Sequence, residues 1–128
     1  MVCLDTDFLI DLDRKDDKAV RKMQQLYGNN EFANTTIINA AEYFAGSYKS
    51  GRTDAIERAR EYIRDFSVLT LDEESALLWG RLYSELRSSS IGDRDLFIAS
   101  IALKNGETLV TRNVKHFERV PGLKVESW

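Results

Sequence analysis

Residues 91–117, IGDRDLFIASIALKNGETLVTRNVKHF, decide how this chain is read. An apolar run from Leu96 to Leu103 is preceded by Asp93 and Asp95 and followed by Asn105-Gly106. Its small residues Ala99, Ser100 and Ala102 stand among Leu, Ile and Phe, so periodicity alone does not separate a buried strand from a buried helix. The ends decide. Carboxylates favour a helix N-terminus, where unpaired N–H groups and the dipole stabilise negative charge. Asn-Gly just past the last apolar residue stops a helix, because glycine takes the left-handed conformation without a Cβ penalty. Glu107 to Val110 then reads as a short strand that ends at Thr111-Arg112-Asn113. The unit is buried helix, turn, strand and polar exit. It puts carboxylates at a helix start and polar groups at a strand end, where open α/β sheets place ligands.

Working outward, Val2-Cys3-Leu4 reads as a first strand with Asp5 at its carboxyl end. A short helix over Phe8–Leu12 follows, with Asp7 as its expected N-cap. A carboxylate directly after a buried strand lies at the sheet edge, so Asp5 reads as functional. Lys18 to Tyr27 is amphipathic, Glu31 to Thr35 is an expected second strand, and Thr35 or Thr36 can cap the helix Ile37–Tyr48. That helix carries Glu42 beside an expected inward stripe of Ile38, Ala41 and Ala45. An acid in so apolar a stretch needs a partner, because an unpaired buried carboxylate is costly. Thr53 to Phe66 reads as a second amphipathic helix, with Glu57, Arg58, Arg60 and Glu61 on a solvated face. Ser67 to Leu71 reads as a third strand. Asp72 caps a helix to about Arg87, with Ala76, Trp79, Leu82, Tyr83 and Leu86 expected inward as core or dimer surface. Ser88-Ser89-Ser90 is too short to divide domains. A helical turn over Val114–Arg119, a Pro121-Gly122 turn and a last strand over Leu123–Glu126 complete the chain. Five short strands alternating with helices predict an α/β fold, a central parallel sheet with helices on both faces.

Composition narrows the chemistry. The chain of 128 residues is expected to form one domain, with 43% hydrophobic and 30% charged residues. The single Cys3, inside the first strand, excludes an internal disulfide and reads as a buried, inert thiol. No secretory leader and no apolar run of about 20 residues is visible, so a cytoplasmic, non-membrane protein is expected. A net charge of −3 argues mildly against a general nucleic-acid binder. Even so, Arg94, Lys104, Arg112, Lys115, His116, Arg119 and Lys124 gather in the last third. One Cys and one His make zinc a poor fit, and a lone His has no second histidine for a paired-histidine ribonuclease mechanism. Neither a phosphate-cradling glycine loop nor a G-x-S-x-G nucleophile turn is present.

The sites that stand out are Asp5, Glu42, Asp93 with Asp95, and Asn113. Strand ends and helix starts of a doubly wound sheet can bring them to one edge. Clustered carboxylates repel, so they persist with a cation or with shared protons. Oxygen donors suit Mg²⁺ or Mn²⁺. Such a site can activate a water and stabilise charge on a phosphate during in-line displacement.

The succession LDTDFLID, AAEYFAG, GDRDLFIASIA and LVTRNVKHFERVPGL resembles a PIN-domain nuclease of the VapC-like toxin type, from Leu4 to about Val125. The resemblance implies an α/β sandwich and an Mg²⁺- or Mn²⁺-dependent endoribonuclease that leaves 3′-hydroxyl and 5′-phosphate ends. It puts the acidic positions on Asp5, Glu42 and Asp95 and the fourth on Asn113, where family members carry Asp or Asn. Asp93 could supply the missing charge or simply serve the helix start. Thr6 and Thr111 resemble polar positions that support the acids, and Arg112 and Lys115 are candidates to steer an RNA backbone. An RNA substrate, a homodimer and a VapB-like antitoxin are implied partners. Two rivals remain. One is a PIN-like module that binds RNA or protein without cleaving. The other is a haloacid-dehalogenase-type phosphatase, whose D-x-D start Asp5-Thr6-Asp7 imitates. Leu9 stands where that motif wants Thr or Val, and Asp93 and Asp95 enter a helix rather than follow a strand.

Overall fold

A computed structural model describes residues 1–86 and 91–128. The helix end near Arg87 and the run Ser88–Ser90 lie outside the described residues. The elements run β1 (Val2–Leu4), α1 (Thr6–Asp13), α2 (Asp17–Gly28), β2 (Ala33–Thr36), α3 (Ile37–Lys49) and α4 (Ala55–Ile63). They continue with β3 (Ser67–Leu69), α5 (Glu73–Leu86), α6 (Asp93–Lys104), β4 (Thr108–Val110), α7 (Val114–Phe117) and β5 (Lys124–Glu126).

The five strands form one sheet in the order β3-β2-β1-β4-β5, every neighbouring pair parallel. From β1 the chain winds to one side through β2 and β3, then returns to add β4 and β5 on the other. β1 and β4 are therefore neighbours at the point where the winding reverses, and a crevice opens outside their carboxyl ends. Asp5 and Thr111 are the first residues past those two ends.

Strand alternation divides the core. Val2 and Leu4 face one layer and Cys3 the other; Val110 and Leu109 split the same way in β4. The first layer is Leu4, Phe8, Leu9, Met23, Leu26 and Ala40, with Trp128 packed against it. The second is Leu82, Leu96, Ile98, Ala99, Ala102, Leu109, Phe117 and Val120. A fully buried side chain such as Phe8 contributes on the order of 2–3 kcal/mol to this core.

The α6 helix confirms the reading of the central stretch. Six of its residues, Leu96 and Ile98 to Ala102, are buried, and small side chains let α5 pack close against it. Asn105 is its C-cap and Gly106 follows at φ +65°, the left-handed stop that Asn-Gly announces. Gly92 rather than an acid occupies the N-cap, and Asp93 and Asp95 stand in the first turn, where the dipole still favours them.

Several boundaries and phases differ from the sequence reading. Asp5, not Asp7, caps α1: its side chain accepts from Thr6 N, and the helix starts two residues earlier than expected. The second strand begins at Ala33, and Phe32 is exposed. On α3 the inward residues are Asn39, Ala40, Tyr43 and Phe44, while Ala41 and Ala45 are exposed. Ile38 of the expected stripe does pack, against the second core layer, but alanine side chains are too small to report which face is covered, and Ala41 and Ala45 fall outside it. On α5, Ser75, Leu78, Trp79 and Leu82 turn inward, whereas Ala76 and Tyr83 are exposed. Ser75 is buried because it closes the cap with Asp72, exchanging hydrogen bonds of 2.9 Å each way.

Candidate active site

Asp5 stands at the centre. It is 8% exposed, and each of its oxygens already has a protein donor. Oδ1 accepts from Thr6 N at 2.9 Å and from Asn39 Nδ2 at 2.8 Å; Oδ2 accepts from Thr111 Oγ1 at 2.7 Å. Burial pushes the Asp5 carboxyl up to about 6, and the charges of Asp7 and Asp95 push the same way. The hydrogen bonds from Thr111 and Thr6 oppose that shift. A carboxylate so placed is stabilised by any cation that approaches it.

Asn39 explains why α3 and α1 hold a fixed relation. The Thr36 cap and Asn39, three residues on, form a reciprocal capping box, with Asn39 N donating to Thr36 Oγ1 at 3.1 Å and Thr36 N to Asn39 Oδ1 at 3.4 Å; Thr36 Oγ1 also donates to Asn39 Oδ1 at 2.6 Å. Its amide group then reaches Asp5 Oδ1 and, at 2.9 Å, Thr6 Oγ1. Thr6 Oγ1 in turn donates to Glu42 Oε1 at 2.7 Å. Glu42 thus has the partner its apolar surroundings demand, and its other oxygen lies 3.5 Å from the Arg94 guanidinium. Asp95 Oδ2 sits 2.9 Å from His116 Nε2, an approach off the line of a hydrogen bond.

The remaining candidates divide. Thr111 is fully buried, donates to Asp5 and accepts from Asn113 N at 3.1 Å, which ties the loop after β4 to the acid after β1. Asn113 is the exposed N-cap residue of α7, with no side-chain cap bond. Lys115 is exposed on α7, and Asp93 is exposed on the first turn of α6. Arg112 is committed elsewhere: its guanidinium is 2.6 Å from Asp11 Oδ2 and lies over the Trp128 ring at 4.8 Å. Its backbone N–H donates to Asp7 Oδ2 at 3.1 Å, so Asp7 braces the same loop. Sequence reasoning missed Asn39, and the Thr-x-x-Asn spacing marks only its capping role. It also set His116 aside, although one helical turn from Asn113 puts both on one face of α7.

The donor set suits a hard cation. It is all oxygen, and Mg²⁺ commonly takes one or two carboxylates and fills its shell with water. Among the described residues no three His, Cys, Asp or Glu side chains stand together as a ready metal cage. A cation would therefore be held by Asp5 with its nearest acid neighbours and by water. Glu42 also lines a groove of about 660 Å³ between α1, α3 and α4, whose walls carry Arg14, Arg52 and Arg58 together with Asp13, Glu61 and Asp65.

Comparison with known proteins gives the relatives of this arrangement. The family described as PIN domain matches residues 2–123. Ribonuclease VapC1 of Haemophilus influenzae (strain R2866) is 31% identical over 129 residues, covering 98% of this chain and 96% of the relative. Ribonuclease VapC2 of Rickettsia felis is 27% identical over 128 residues, with the same coverage. The crystal structure of VapBC2 from Rickettsia felis, bound to a DNA fragment from their promoter, superposes with a TM-score of 0.84 at 27% identity. That match covers 100% of this chain and 99% of the solved one. The chain belongs to the PIN-domain family, as a VapC-like member.

Proposed function

We propose that this chain is a divalent-metal-dependent endoribonuclease, the toxin of a toxin–antitoxin pair, hydrolysing RNA phosphodiester bonds at the crevice between β1 and β4. The observation that carries the reading is Asp5: a buried carboxylate at the point where the sheet's winding reverses, held by three donors and pushed up to about 6. Ribonucleases aligned over almost the whole chain support the reaction class. A solved relative that is a VapBC complex supports a VapB-like antitoxin as partner. No helix among the described residues is long and apolar enough to cross a membrane. A single domain over 1–128, working in the cytoplasm as a homodimer, is part of the same reading, and exposed Leu77 and Tyr83 on α5 offer apolar surface for a second copy.

Asp5, Glu42 and Asp95 would hold Mg²⁺ or Mn²⁺ directly or through water, with Asp93 or Asn113 at the margin. When bound, such an ion activates a water and offsets charge on the phosphate. The chain's own residues do the rest. Thr111, Thr6 and Asn39 fix the Asp5 carboxylate in one orientation, and Thr6 also sets the Glu42 carboxylate. Lys115, exposed on α7, and Arg94, beside Glu42, supply positive charge toward an RNA backbone. Arg112 acts chiefly on the loop, through Asp11 and Trp128. A non-cleaving module would not need an acid kept buried at such cost, and the acid pair at the start of α6 speaks against the phosphatase reading.

The test is incubation of the purified protein, free of antitoxin, with a pool of structured RNAs and Mg²⁺ or Mn²⁺, beside Asp5→Asn, Asp95→Asn and EDTA controls. Cleavage that needs both metal and Asp5 is expected. Full metal-dependent cleavage by both variants would overturn the reading, and intact RNA bound in Mn²⁺ would favour the non-cleaving module.

A further inference from the structure

We propose that His116 is a positioning residue for Asp95: its imidazole edge holds Asp95 Oδ2, so that the other oxygen is left to face a cation. This rests on the metal-site reading above and adds to it the chain's one histidine. The contact is built rather than incidental. Phe117 and Val120 are buried and pin α7 to the second core layer, which leaves the helix little freedom to turn. His116 packs edge-on against Phe117, ring centroids 5.6 Å apart. Its Nε2 is shielded from solvent and makes no aligned hydrogen bond among the described residues, while Asp95 Oδ2 lies 2.9 Å away. A small rotation of the ring turns that close approach into a hydrogen bond. Asp95 Oδ1 has no hydrogen-bond partner among the described residues.

The placement follows from the fold. Asp95 sits in the first turn of α6 and His116 one turn into α7, on the two elements that flank β4 in sequence. Asp5, at the end of the neighbouring strand, feels the Asp95 charge. The two acids therefore receive support from different sides: Asp5 from Thr6, Asn39 and Thr111, Asp95 from His116. Partners of this kind, which hold a ligating carboxylate in place, typically cost tenfold to about a hundredfold in metal affinity when removed.

Mn²⁺ binding tests the proposal, measured by the loss of the free-ion electron paramagnetic resonance signal at one fixed, mildly alkaline pH. His116→Phe keeps the ring packed on Phe117 and removes the polar edge. Its Mn²⁺ affinity is expected to fall about tenfold. His116→Gln carries an amide N–H to nearly the same point and is expected to bind within about threefold of wild type. Cleavage by His116→Phe is expected to recover at saturating Mn²⁺, because the lesion lies in holding the ion. Thermal unfolding in EDTA checks that each variant folds; should His116→Phe fail, His116→Asn, too short to reach Asp95, carries the same expected loss. Wild-type affinity in His116→Phe, or equal losses in the Phe and Gln variants, would overturn the role of His116 alone. Absence of saturable Mn²⁺ binding by wild type would overturn the metal site itself, and the role of His116 with it.

Discussion

Replacing Asp5 with asparagine will make the metal-free protein more stable at neutral pH, even as it removes the residue on which cleavage rests. The Asp5 carboxyl rises from 3.8 in the unfolded chain to about 6 in the fold, chiefly because burial penalises its charged form. Below the lower value both states hold the proton and the group has no effect. Between the two values the unfolded chain ionises first while the folded one keeps its proton, so stability falls as pH rises through this window. At about 1.4 kcal/mol per pH unit, the loss above the folded value is about 3 kcal/mol. Asparagine never ionises and suffers no such loss. It does leave the Thr111 hydroxyl proton without its acceptor, at about 1 kcal/mol at every pH.

The expected result is an Asp5→Asn protein slightly weaker than wild type near pH 3.5 and about 2 kcal/mol stronger by about pH 7.5. Urea unfolding in EDTA across that range, followed by tryptophan fluorescence, reads this as a midpoint advantage of about 1 M at the alkaline end. Excess Mn²⁺ is expected to reverse the order, because an ion held at a hundred times its dissociation constant adds about 2.7 kcal/mol to wild type alone. A stability gap that stays flat between the two values, or shrinks as pH rises, would refute the reasoning.

Four further outcomes follow from the same contacts. Thr111→Val removes a donor that lowers the Asp5 carboxyl, so the acid limb of the cleavage–pH profile moves to higher pH and unfolding free energy drops by about 1–2 kcal/mol. Wild-type profile and stability would discount the bond. Asn39→Ala breaks both the capping box and the bond to Asp5, and is expected to cost about 1–3 kcal/mol in urea unfolding together with most of the cleavage rate. Arg112→Ala and Lys115→Ala are expected to part company: the first lowers the melting temperature, while the second weakens RNA binding and reduces its salt slope by about one. Trp128→Ala, which strips the partner of both Phe8 and Arg112, is expected to lose about 2–4 kcal/mol by chemical unfolding.

The sequence by itself determined the order of elements, the parallel sheet and the acids at its edge. Helix stops and strand patterns are local: Asn105-Gly106 ends α6 and Thr36 starts α3 through bonds that span only a few residues. The same locality made Asp5 and Asp95 visible as carboxylates at element ends. What only the tertiary structure decided are contacts between segments far apart in the chain. Thr111 reaches Asp5 across 106 residues, Asn39 across 34, and Thr6 reaches Glu42 across 36. No periodicity encodes such distances; they arise because reversed winding makes β1 and β4 neighbours and sets α3 beside α1. Arg112 shows this most plainly: a candidate by sequence to steer an RNA backbone, it also pairs with Asp11 and lies over Trp128, contacts that exist only once the loop after β4 and Trp128 pack against α1. Charge and residue type are written in the sequence, whereas which charges are already spent depends on packing.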